Sequence, residues 1–137
     1  MHEGNAGDEA GFVAIEWVAS IAVLLLPVVL LVATLPVWAE RKHAAAVAAR
    51  EAASAAVLRA EVDPGAARLV AREVAANYGI DTRDVSVSVR PGAARGAYVT
   101  VDVHVRMPAI AVGGLFSAGA WTYTATQHRR LDDYRSR

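Results

Sequence analysis

Cysteine is absent from this 137-residue chain. That excludes a disulfide framework, a thiol nucleophile and zinc or iron–sulfur centres held by thiolates. Lysine is almost absent as well: Lys42 stands alone beside thirteen arginines. Neither sign of charge is in excess, because fourteen Lys+Arg match fourteen Asp+Glu. A basic surplus that could hold nucleic acid through its phosphates is therefore lacking, and nucleic acid is not an expected partner. The first sixteen residues contain no Lys or Arg but four acids, Glu3, Asp8, Glu9 and Glu16, so the remainder carries fourteen bases against ten acids. The most informative absence lies between Glu16 and Glu40, where 23 residues, Trp17 to Ala39, bear no charge.

What is present is apolar. Hydrophobic residues make up 55% of the chain, above the usual range of about 45–50%, and mean hydropathy is positive. One domain of this length needs less, which points to a membrane segment. At 1.5 Å per residue the charge-free run reaches roughly 35 Å, enough to cross a hydrocarbon core of about 30 Å. Trp17 and Trp38 flank it, where indole rings favour the headgroup region, and the hydroxyls of Ser20 and Thr34 can bond back to helix carbonyls. A cleaved secretory signal does not fit, since the leading residues are acidic and the run is too long. Pro27 and Pro36 each remove an amide donor and crowd the carbonyl four residues earlier, at Val23 and Val32. They read either as tolerated kinks or as a flexible stretch that lets the helix pack differently in bilayer and in assembly.

Beyond the span, residues 40–62 are rich in alanine and contain no Gly or Pro, which predicts that the helix continues. Val47, Ser54, Leu58 and Val62 give it a weak apolar stripe. Asp63-Pro64-Gly65 is a turn, with Asp63 as a cap for a second helix over Ala66–Tyr78 that buries Leu69, Val70 and Val74 and stops at Gly79. The period then changes to two. Val85, Val87 and Val89 alternate with polar residues, and after a loose loop over Pro91–Gly96 so do Val99, Val101, Val103, Val105 and Met107. Pro108–Ala120 reads as an apolar connection too short to be a second span. Trp121–His128 reads as a third strand, and residues 129–137 as a charged tail. The expected fold class is α+β: a long N-terminal transmembrane helix (residues 12–39), a helical extension (40–62) and a small domain (63–128) of one short helix and a three-stranded antiparallel sheet. So small a core requires packing against the long helix or a neighbour.

No catalytic constellation is visible. His2, His43, His104 and His128 fall in the leader, the helix, a solvent-facing strand position and the tail, none at metal-ligand spacing. Asp132 and Asp133 sit among arginines and read as a solvated tail. Gly113-Gly114 lacks the lysine of a phosphate loop. An enzyme is not expected, and no cofactor or metal.

Glu16 stands out, because a carboxylate beside an apolar run is costly within a bilayer. By position alone it reads as the boundary of the helix. It is preceded, however, by Gly11-Phe12-Val13-Ala14-Ile15. This Gly–Phe junction, with Glu four residues after the Phe and an apolar run behind it, resembles the processing site of type IV prepilins. The chain as a whole is similar to the TadE-like minor pilins or pseudopilins of the tight-adherence (Flp) pilus system, as found in actinobacteria. The likeness runs through the short leader, the apolar helix, the Ala/Arg-rich extension, the Val-rich strands and the closing Thr124-Ala125-Thr126-Gln127-His128-Arg129 and Asp133-Tyr134-Arg135.

The resemblance implies a pilin-like fold and cleavage between Gly11 and Phe12 by a prepilin peptidase, which removes residues 1–11. It implies an assembly role for Glu16, paired with the new α-amine of Phe12. The partners it implies are the lipid bilayer, the peptidase, other pilin and minor pilin subunits and the Tad inner-membrane assembly platform. It places the chain in the cytoplasmic membrane as a single-pass protein with its C-terminal domain outside the cytoplasm, able to enter a surface pilus. Two features depart from the family: the leader has no basic residue, and Arg41, Lys42, Arg50 and Arg59 follow the span. By the positive-inside rule the latter favour a cytoplasmic C-terminal side, although long domains translocate largely regardless of charge. The alternative reading is an uncleaved single-pass accessory or anchor of a secretion complex.

Overall fold

The computed structural model describes residues 6–58, 62–92, 98–112 and 116–131. Residues 1–5 of the expected leader, part of the loop after Pro91, Gly113-Gly114, and the Asp132–Arg137 stretch with its paired aspartates lie outside these. The chain divides into two compact units, residues 1–36 and 37–137.

Helix α1 (Ala6–Val57) contains the charge-free run, including Pro27 and Pro36. It is long and apolar enough to cross a membrane. Within the first unit its large side chains, from Phe12 to Leu35, are mostly exposed, the inverse of a water-soluble packing and the pattern expected of a lipid-facing surface. Thr34 Oγ1 donates to the Leu31 carbonyl at 2.9 Å, so this hydroxyl finds its partner inside the helix.

The second unit begins with Val37 on α1. Helix α2 (Pro64–Asn77) follows, capped by Asp63, whose Oδ1 accepts from the Ala66 amide at 3.0 Å. Its C-terminal turn closes at Gly79, where φ is +70°, a conformation that costs an L side chain. A single 3-10 turn (Thr82–Asp84) leads into the sheet. Asp81 accepts from both the side chain and the backbone amide of Arg83, which holds its carboxyl down at about 2.

Strands β1 (Val85–Arg90), β2 (Tyr98–Met107) and β5 (Trp121–Arg130) form a three-stranded antiparallel sheet in the order β1-β2-β5. The α+β architecture expected from the sequence is thus present, with β2 central. The register pairs Val87 with Val103 and Val103 with Ala125. Every second residue of β2 (Val99, Val101, Val103, Val105 and Met107) is therefore buried on one face.

Four expectations are corrected. The buried face of α1 is made of alanines (Ala44, Ala45, Ala48, Ala49, Ala52, Ala53 and Ala56), while Leu58 is exposed and Val47 and Ser54 are half-buried. In α2 the fully buried residues are Ala67, Ala71 and Ala75; of the three expected, Val70 and Val74 are half-buried, with Val74 packed against the core, and Leu69 is 69% exposed. Alanine at these spacings lets the helices approach the valine face closely, whereas a leucine there would hold them apart. Pro108–Ala120 is not a plain connection: β3 (Ile110–Val112) pairs with β4 (Phe116–Ala118) as a separate antiparallel hairpin. Finally, β5 runs on to Arg130, so His128 and the first residues of the expected tail pair with β2.

Candidate functional site

Gly11, Phe12 and Glu16 all lie on α1 and are exposed. Phe12 and Glu16 are four residues apart, one helical turn, and so share a face. A Cβ added to Gly11 would meet no atom within 4 Å. Glycine inside a helix costs about 1 kcal/mol relative to alanine. Neither helix formation nor packing within this chain therefore asks for glycine at position 11.

The second unit contains two further clusters. The first is an aromatic collar at Trp38, the penultimate residue of the charge-free run. Trp38 meets Trp121 edge to face, with centroids 6.1 Å apart and planes at 84°, and Trp121 meets Tyr123 in the same manner at 6.5 Å. The Lys42 ammonium stands 5.3 Å from the centre of the Tyr123 ring, within cation–π range. Two bonds tie the end of β2 to α1: Trp38 Nε1 donates to the Pro108 carbonyl at 3.3 Å, and Arg41 Nη1 to the Arg106 carbonyl at 2.6 Å. Arg41 also pairs with Asp84 at 3.4 Å. Nearby, His43 packs edge-on against Tyr78.

The second cluster is polar and lies on the sheet face opposite the valines. Asp102 is 6% exposed. Its carboxylate accepts from Thr126 Oγ1 at 2.6 Å, from Ser88 Oγ at 3.4 Å and from the Arg90 guanidinium. These neighbours stand directly opposite or diagonal to it across both ladders. The Thr126 hydroxyl, followed by Arg90 and Ser88, holds the Asp102 carboxyl below its ordinary value against the opposing effect of burial. The same face carries Thr100 Oγ1 against His128 Nδ1 at 3.0 Å and His104 Nδ1 against Thr124 Oγ1 at 2.8 Å. Each is a cross-strand pair of the kind that fixes sheet register. Among the described residues no buried side-chain nitrogen or oxygen lacks a hydrogen-bond partner. The Asp102 cluster is thus self-satisfied, and its chemistry is that of a structural clasp.

Gly11, Phe12 and Glu16 belong to the first unit, the collar and the clasp to the second. Sequence reasoning missed the collar's partners. Trp121 follows the apolar Pro108–Ala120 stretch, but nothing in the local sequence pairs it with Trp38. Comparison with protein-family models, curated proteins and solved structures yields no match.

Proposed function

We propose that this chain is a TadE-like minor pilin or pseudopilin, processed between Gly11 and Phe12 and built into, or priming, a Flp-type pilus or related secretion filament. The observation that carries this reading is the Gly11–Phe12–Glu16 turn at the head of an exposed apolar helix, at a position where the fold itself has no need of glycine. A peptidase that must seat the backbone closely at the scissile bond does need a residue without a side chain. The α+β unit after the span supports a minor subunit, because major Flp pilins resemble little more than the helix.

In this account the role is structural rather than enzymatic. The protein sits in the cytoplasmic membrane, passes it once and carries its C-terminal unit outside. Prepilin peptidase, other pilin subunits and the Tad assembly platform are its partners. Cleavage leaves Phe12 with an α-amine, cationic for much of the time at neutral pH. Glu16, one turn on, neutralises that amine or the amine of a neighbouring subunit, so that two charges enter an apolar bundle as a pair.

Substitution of Glu16 tests this. Glu16→Gln leaves processing after Gly11 intact, since cleavage depends on the Gly and its neighbours. Incorporation of the processed chain into sheared pili, or its crosslinking to the major pilin, falls by roughly a hundredfold or more, the penalty for leaving one buried charge without its partner. Normal incorporation of the processed variant would reduce Glu16 to a boundary residue.

A further inference from the structure

We propose that the β3–β4 hairpin, with Trp121 at its exit, lies in the headgroup–acyl boundary of the membrane that α1 crosses, as a lipid contact in addition to the span. The proposal rests on the reading of α1 as a membrane span and concerns a different part of the chain from the processing site.

From Met107 to Gln127 the sequence has no Asp, Glu, Lys, Arg or His. The hairpin strands Ile110–Val112 and Phe116–Ala118 pair with each other and stand apart from the three-stranded sheet. Its root is fixed to α1. Pro108 accepts from the Trp38 indole, Arg106 accepts from the Arg41 guanidinium, and Trp121, 43% exposed, abuts the Trp38 ring. Trp38 and Arg41 bracket the point where the charge-free run of α1 ends. The chain therefore leaves the sheet at the residues that mark the edge of the bilayer, where Trp and Tyr are favoured.

The rim has the matching charge. Lys42 and Arg106 are exposed, with Glu40 as the opposing carboxylate and Arg41 engaged by Asp84. Cations flanking an apolar segment suit an anionic headgroup layer. Lipid is favoured over a protein partner because α1 itself brings the bilayer to this point. Contact with it is then intramolecular, at high effective concentration, and needs no second encounter.

The absence of cysteine allows single labelling sites in the full-length chain. Ala111→Cys and Ser117→Cys, each carrying an environment-sensitive nitrobenzoxadiazole probe, are reconstituted in vesicles of phosphatidylcholine and phosphatidylglycerol. Gly92→Cys, in the loop at the opposite end of the sheet, is the aqueous control, and Val28→Cys in α1 reports the span. The expected result is blue-shifted emission at 111 and 117, quenching by lipids brominated near the headgroup, and little quenching by aqueous iodide, with the reverse at 92. Iodide quenching at 111 and 117 equal to that at 92 would overturn the proposal. So would probes shielded from iodide yet insensitive to brominated lipid, the result expected if a protein covers the hairpin. If the probe at 28 also fails to respond to lipids brominated at mid-chain, the span itself is at fault; if it responds, the hairpin alone is.

Discussion

Thr126 faces Asp102 across the β2–β5 ladder and donates its hydroxyl to the carboxylate at 2.6 Å, which makes the only charged residue among the buried side chains of the described chain a cross-strand clasp. Because this carboxyl titrates below its ordinary value in the folded chain, it adds stability at pH values above about 4, the unfolded value for Asp. That contribution is lost as pH falls through the lower folded value. Asp102→Ala removes the acceptor of three donors and is expected to cost about 1–3 kcal/mol at neutral pH, with the gap to the parent narrowing in acid. Denaturant unfolding of the full chain in detergent, run from pH 7 down to pH 3, measures both effects. An equal gap at both ends of that range would show that the charge of Asp102 is not what matters.

Alanine packing makes an asymmetric prediction for α2. Ala71→Leu inserts bulk against the valine face and should destabilise by about 1–3 kcal/mol. Leu69→Ala, on the exposed side of the same helix, should stay within about 0.5 kcal/mol. Thermal melts of both variants check the pair, and a larger loss at position 69 would reverse the assignment of faces.

Gly79 should resist substitution for reasons of backbone alone. Its φ of +70° lies in the left-handed region, yet an added Cβ meets nothing within 4 Å. Gly79→Ala therefore costs only the conformational penalty, about 1–2 kcal/mol, and Gly79→Asn, which tolerates this region better, should cost less. Chemical denaturation of the two variants decides the order.

The orientation of the chain can be read from a fusion. If the C-terminal unit lies outside the cytoplasm, as proposed, alkaline phosphatase joined after Arg137 is active in spite of Arg41 and Lys42. A fusion that functions only as a cytoplasmic reporter would place that unit inside.

How far the sequence foretold these features depended on the length scale of each signal. The alternation from Val99 to Met107 forces a strand with one buried face, and Asp63 and Gly79 bracket α2 because each solves a local backbone problem. The alanine faces were hidden. Alanine carries little hydropathy, so Ala67, Ala71 and Ala75 were outweighed by Leu69, although the closeness of the sheet decides which side is buried. The β3–β4 hairpin is only three residues to a strand, too short for a period to show. Gly11, Phe12 and Glu16 were legible as a motif because their spacing is local. The Trp38–Trp121 contact joins residues far apart in sequence, and no local pattern encodes it.

The central claim is that Gly11–Phe12 is a processing junction. Intact-mass measurement of the full-length protein, extracted from membranes of cells with active prepilin peptidase, tests it most directly. The expected result is a mature chain that begins at Phe12, and the uncleaved mass when the peptidase is inactivated or when Gly11 is replaced by Leu. A chain that retains Met1–Gly11 beside a working peptidase would contradict it.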